Sequence, residues 1–72
     1  MAQPVMAILS NQNDLAAKAF LFTRDTNEAG LLVGKVISRA FRKLRDEPSA
    51  EKIAAAMHHD LDRLIERQQA AN

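Results

Sequence analysis

The side chains best suited to bind a metal ion are clustered in one short segment, His58-His59-Asp60-Leu61-Asp62. Imidazole nitrogens and carboxylate oxygens are zinc ligands, and a structural zinc site usually holds four of them. Adjacent residues of a helix diverge by about 100°, so His58 and His59 do not reach the same ion. His58 and Asp62, which are one helical turn apart, supply at most two ligands. The segment therefore favours surface histidines and predicts no metal site.

The candidates considered for nucleophilic catalysis are three serines, and the chain has no cysteine. Each serine has a structural explanation: Ser10 lies in a predicted loop, Ser38 on a helix surface, and Ser49 at a helix start. The sequence has no glycine-rich phosphate loop, and no pair of carboxylates falls in a predicted cleft. A chain of 72 residues also leaves little room for a substrate pocket of roughly several hundred Å³. We expect a protein that is not an enzyme and uses no cofactor.

The distribution of charge is more informative than the net charge of +1. The segment 29–45 contains five basic residues and no acidic one, whereas the rest of the chain has five basic and nine acidic residues. Lys35, Arg39 and Arg42 follow one another at helical spacing and predict an exposed basic stripe. Such a stripe is typical of a surface that binds phosphates or an acidic protein. The competing explanation is that cations gather near a helix C-terminus because the helix dipole favours them there.

Among the functional interpretations of this stripe, protein binding comes before nucleic-acid binding. No aromatic residue is interleaved with the basic ones to stack on nucleic-acid bases. The sequence pI of ≈ 8.2 is also below that expected of a dedicated nucleic-acid-binding domain. We expect a small regulator that binds another protein, as an adaptor, inhibitor or antiactivator does. The predicted partner-binding residues are the stripe and the apolar side chains expected beside it: Lys35, Arg39, Arg42, Phe20, Leu21 and Leu31.

A DNA-binding transcriptional regulator that uses the same basic helix is the alternative. A short strand followed by two helices is the element order of a ribbon-helix-helix dimer, and residues 5–10 are the candidate strand. That strand should direct polar side chains to the base edges, whereas residues 5–9 are all apolar. The turn at 23–27 also permits a helix-turn-helix arrangement, but the next helix opens with residues 29–32, which offer no polar side chain.

The clearest helix is predicted over residues 27–46. Asp25 and Glu28 have the spacing of a capping box, with Thr26 and Asn27 as alternative caps. Pro48 should end the helix, because the residue before a proline disfavours helical geometry. Gly30 and Gly34 weaken the helix, and they either are tolerated or allow another backbone to approach closely. The apolar positions recur every three or four residues: Ala29, Val33, Val36, Ile37, Ala40 and Leu44.

A second long helix is predicted over residues 49–69, with Ser49 as its N-cap. Its apolar residues follow the spacing of a helix that pairs with one or two others. The short connection after residue 46 favours an antiparallel hairpin with the preceding helix. The predicted core or dimer seam of this hairpin comprises Val33, Ile37, Leu44, Ile53, Met57, Leu61 and Leu64.

The N-terminal third has two interpretations. Residues 11–24 are predicted to form a shorter helix that is apolar on most sides, which favours burial. The alternative pairs residues 5–9 and 19–23 as the two strands of a hairpin. Residues 1–10 are expected to be a flexible arm or a short strand.

The predicted fold is therefore all-α, a helical hairpin plus a shorter N-terminal helix in one small domain, with two chains associating. A chain of this length buries too little surface to be more than marginally stable, and without cysteine it has no disulfide to compensate. Charged residues interrupt both apolar stretches, so no membrane span is predicted. We expect a cytoplasmic protein, because the absence of cysteine is compatible with a reducing compartment.

Overall fold

The computed structural model describes residues 4–71, and the regular structure within this range is entirely helical. Helix α1 spans Pro4–Ser10, α2 spans Gln12–Thr23, α3 spans Thr26–Lys43, and α4 spans Ala50–Ala71. The all-α prediction is confirmed. The strand hairpin of residues 5–9 and 19–23 is wrong, because both segments are helical. The arm or short strand expected at 1–10 is wrong for residues 4–10, while residues 1–3 lie outside the described range.

Helix α1 forms because local and tertiary preferences agree. Pro4 stands at the first helical position, where its fixed φ suits a helix and its missing N–H is not needed. Ile8 is fully buried, which fixes the side of the helix that faces the core. The helix ends where Ser10 and Asn11 side chains both donate to the carbonyl oxygen of Ala7, at 2.8 Å in each case. A short apolar run is compatible with a helix or with a strand, so the sequence alone does not predict this helix. Its packing against the core determines which of the two forms.

A two-residue turn joins α2 to α3. Arg24 adopts left-handed geometry with φ 57° and ψ 23°, and its backbone N–H donates to Phe20 O at 2.8 Å. Asp25 is extended, and its Oδ1 accepts from the backbone N–H groups of Asn27 and Glu28 at 2.8 and 3.1 Å. Asp25 is therefore the N-cap of α3, as its spacing from Glu28 indicated. The turn is shorter than the three or four residues usual in a helix-turn-helix motif.

The connection between α3 and α4 begins earlier than predicted. Helix α3 ends at Lys43 instead of residue 46. The ring of Pro48 would clash with the carbonyl of Leu44 in a continued helix, and Asp46 and Glu47 would lie at the negative end of the helix dipole. Ser49 is confirmed as a cap, since its Oγ accepts from the backbone N–H of Lys52 at 3.2 Å.

Each helix contacts the other three, and the contacts of α3 are the most extensive. It packs more extensively against α2 than against α4, so the predicted hairpin is only part of the core. Five of the seven seam residues are buried, and Ile37 and Leu44 are partly buried against the same cluster. The core is aliphatic and draws on every helix: Ile8, Leu15, Ala19, Ala29, Leu32, Val33, Val36, Ala40, Ile53, Met57, Leu61 and Leu64.

The turn at Arg24 provides a test of this local geometry. A non-glycine residue in the left-handed region costs roughly 1–2 kcal/mol, and glycine removes that cost while losing more entropy on folding. We expect Arg24→Gly to raise the free energy of unfolding by about 0.5 kcal/mol, measured by urea denaturation. Arg24→Ala is the control, because it removes the charge but keeps the Cβ. An Arg24→Gly variant no more stable than Arg24→Ala would contradict the assignment of this turn.

Candidate partner-binding face of helix α3

The two sides of α3 differ sharply in composition. One side is buried and consists of Ala29, Leu32, Val33, Val36 and Ala40. The opposite side is exposed and includes Leu31, which is 63% exposed although it is a large apolar residue. At about 100° per residue, Leu31 points away from the centre of the buried row. No part of the fold described between residues 4 and 71 covers this side.

A shallow open groove runs along the exposed side and is bordered by the C-terminal half of α4. We call it the cationic groove. It is lined by Gly30, Leu31, Gly34, Lys35, Ser38, Arg39, Arg42, Leu64 and Arg67.

The lining of the cationic groove has one sign of charge. It contains Lys35, Arg39, Arg42 and Arg67 and no carboxylate. Arg39 is partly neutralised, because its Nη1 lies 2.7 Å from Oδ1 of Asp60 on α4. Within residues 4–71, the other three cations form no ion pair. A low-dielectric wall lined by uncompensated cations attracts anionic groups.

The structure brings together only part of the predicted partner-binding set. Lys35, Arg39, Arg42 and Leu31 all line the cationic groove. Phe20 and Leu21 are exposed at 41% and 69%, but they lie on α2 and do not line it. Sequence reasoning missed Arg67, because the rotation of α4 against α3 is set by tertiary packing. Its sequence position gave no signal, whereas the exposed row of α3 followed from helical spacing.

The described part of the chain places no structural requirement on the two glycines of α3. Neither has positive φ. A Cβ added at Gly30 or Gly34 would meet nothing within 4 Å. The close approach of another backbone, one of the two interpretations of these glycines, therefore does not occur among the described residues. The groove is left open above the α3 backbone at both positions.

A second, smaller cavity lies between α3 and α4. It has a volume of ≈ 170 Å³. We call it the α3–α4 pocket, and it is lined by Val36, Arg39, Ala40, Lys43, Leu44, Ala56, Met57 and Asp60. Its walls are mainly apolar, and its charged residues are Arg39, Lys43 and Asp60. Arg39 lines both this pocket and the cationic groove.

The structure does not bring the residues considered for metal binding and catalysis together in one site. His58 is partly buried and His59 is exposed. In the part of the chain that the structure describes, no three His, Cys, Asp or Glu side chains come together to hold a metal ion. Ser10 and Ser49 are engaged in helix-end hydrogen bonds, and Ser38 lies in the cationic groove.

Two further findings bear on function. Among residues 4–71, no helix is both long enough and apolar enough to cross a membrane. Comparison with protein-family models, with curated proteins and with solved structures finds no significant match. Function must therefore be inferred from the chemistry of the surfaces described above.

The open glycine positions make a direct prediction about stability. We expect the double variant Gly30→Ala/Gly34→Ala to raise the free energy of unfolding by about 1–2 kcal/mol, because alanine is the better helix former and meets no obstacle. Urea denaturation of the purified chain measures this. Ala55→Gly, at an exposed position within α4, is the reciprocal control and should lose about 1 kcal/mol. A destabilised double variant would mean that another backbone already packs closely on this side of α3.

Proposed function

We propose that this chain is a small non-enzymatic regulator that acts in the cytoplasm by binding another protein through the cationic groove. Its role would be that of an adaptor, inhibitor or antiactivator. The single observation that carries the proposal is the charge of the groove. Four cations and no carboxylate line it, next to the exposed side chain of Leu31. Among the residues that line the groove, the fold uses Leu64 in its core and Arg39 in the ion pair with Asp60, and the buried row of α3 lies on the other side of the helix.

The partner that fits this surface is an acidic segment with apolar side chains. Lys35, Arg42 and Arg67 supply charge complementarity, which speeds association and selects against basic partners. Leu31 supplies apolar area of the kind that interfaces bury at their centres. The absence of side chains at Gly30 and Gly34 lets the backbone of a bound segment lie close to α3.

Protein binding explains this surface better than DNA binding does. Leu31 would face the nucleic acid without a base-reading role, and no aromatic residue lines the groove for stacking. The strand that a ribbon-helix-helix dimer requires is helix α1 in this structure. Both kinds of partner respond to charge reversal, so the test must separate them by salt dependence and by the contribution of Leu31.

The groove can be tested with matched charge reversals. The partner is captured from nuclease-treated lysate, identified by mass spectrometry and then purified. We expect Lys35→Glu/Arg42→Glu to weaken its binding at least tenfold, because the reversed charges repel an acidic segment. The control is Lys52→Glu/Arg63→Glu, which changes the net charge equally at exposed positions outside the groove. Equal loss in both double variants would contradict a specific site.

A second pair of variants tests the contribution of the apolar side chain of Leu31 to partner binding. Leu31→Glu should weaken partner binding about tenfold or more, whereas Ala55→Glu, at an exposed position of α4 outside the groove, should not. Binding to a duplex of mixed sequence is measured in parallel at about 50 and 200 mM salt. Tight duplex binding that falls steeply with salt and is indifferent to Leu31→Glu would assign the groove to DNA and overturn the proposal.

We also propose that two copies of the chain associate. The observation in favour is the apolar surface of the two N-terminal helices, where Val5, Met6 and Leu9 of α1 and Phe20 and Leu21 of α2 are exposed. A chain of this size gains little stability from its own core, and burial of this surface in a dimer would add to it.

Light scattering tests the association. We expect a mass near 16 kDa, twice the 8.0 kDa of one chain, at micromolar concentration. Met6→Glu should shift the population towards the monomer, because Met6 is 66% exposed and a dimer that covers α1 would bury the new charge. Leu31→Glu is the control and should leave the mass unchanged. A wild-type mass near 8.0 kDa would contradict the proposed dimer.

A further inference from the structure

We propose that the α3–α4 pocket receives one apolar side chain of the partner protein, and that Arg39 binds a carboxylate next to that side chain. This inference rests on the proposed function and adds the chemistry of the segment that is recognised. It assigns to the pocket an anchoring role in addition to the contacts made along the cationic groove.

The size and lining of the pocket suit a single apolar group. Its volume is ≈ 170 Å³. An apolar cavity of about 150 Å³ is large enough to bind benzene. Ala40 of α3 and Ala56 of α4 both line the pocket, and their small side chains leave its space open. Met57 lines the same pocket, and its unbranched thioether chain adapts readily to a bound group. One phenyl or isobutyl group therefore fills the pocket.

The charges of the pocket select an anionic neighbour for that group. Arg39 and Lys43 line it together with one carboxylate, that of Asp60, which leaves a net charge of +1. Asp60 engages one Nη atom of Arg39. A guanidinium has five N–H donors, so Arg39 keeps donors for a second carboxylate. Lys43 forms no ion pair within residues 4–71 and adds to the attraction.

Arg39 also connects the pocket to the proposed interface. Because Arg39 lines both the pocket and the cationic groove, the two adjoin at this side chain, and the proposal places one continuous segment of the partner across both. The occupant is thus a stretch of the same acidic partner, with a Phe- or Leu-sized residue beside an Asp or Glu. A free small carboxylate shares part of this chemistry, and the experiment must separate the two sources.

Short peptides test the pocket even before the partner protein is identified. The probes are N-acetyl-Glu-Phe-Glu-amide and two relatives, in which Ala replaces Phe or Gln replaces both Glu residues. Titration is followed by backbone amide shifts in nuclear magnetic resonance spectra. We expect saturable shifts at Ala40, Ala56 and Met57 with the Phe peptide. The Ala peptide should bind about tenfold more weakly, because it has no large apolar side chain to bury in the pocket. The Gln peptide should bind several-fold more weakly.

A matched pair of substitutions locates the binding. Ala56→Leu fills the pocket and should weaken the Phe peptide about tenfold, to the level of the Ala peptide. Ala55→Leu makes the same change at the neighbouring exposed position of α4 and should leave binding unchanged. Circular dichroism and urea denaturation establish that both variants fold. Arg39→Gln should remove the preference for the Glu peptide over the Gln peptide, which a merely structural role of Arg39 would leave intact.

Three results would overturn this inference: no shifts at the pocket amides with the Phe peptide, equal binding by wild type and Ala56→Leu, or tighter binding of free 3-phenylpropanoate than of the peptide. The last result would assign the pocket to a small carboxylate. The proposed function fails separately, if Lys35→Glu/Arg42→Glu leaves partner binding intact while the peptide results hold. Conversely, Lys35→Glu/Arg42→Glu could weaken partner binding while Ala56→Leu binds the partner as wild type does. That result overturns the pocket proposal alone.

Discussion

The structure depends on the burial of one side of helix α3. Ala29, Val33, Val36 and Ala40 pack where the other three helices meet, and apolar burial there supplies the main driving force of a chain without disulfides. A helix that commits one side to the core leaves the other side free of any packing requirement. On α3 that free side carries cations, an exposed leucine and two glycines. The same helix therefore both organises the fold and presents the candidate binding surface.

The sequence predicted the parts of the fold that depend on local patterns. The long helices followed from three- and four-residue apolar spacing, and the caps at Asp25 and Ser49 followed from side-chain chemistry. Helix α1 was missed, because an apolar run of this length fits a strand equally well until Ile8 is seen to be buried. The early end of α3 was missed because Pro48 was expected to affect mainly the residue before it, whereas its ring also clashes with the carbonyl of Leu44 in a continued helix.

The residues of the candidate site also divide into those that sequence spacing predicted and those that it did not. Lys35, Arg42 and Leu31 share one side of one helix, so periodicity was sufficient to group them. Arg67, Asp60 and Ala56 belong to α4, and their place beside α3 depends on how two helices rotate against each other. No spacing rule specifies that rotation. Phe20 and Leu21 were assigned to the same surface for their exposure alone, and the structure places them outside the groove.

The central claim is that the exposed side of α3 contacts another protein. Site-specific photocrosslinking from position 31, with a benzophenone side chain in place of Leu31, tests it most directly. The expected result is a discrete protein adduct from position 31 that is lost with Lys35→Glu/Arg42→Glu, and no such adduct from the same probe at position 55, which is exposed on α4 outside the groove. Adducts of equal yield from both positions, or adducts only to nucleic acid, would contradict the account.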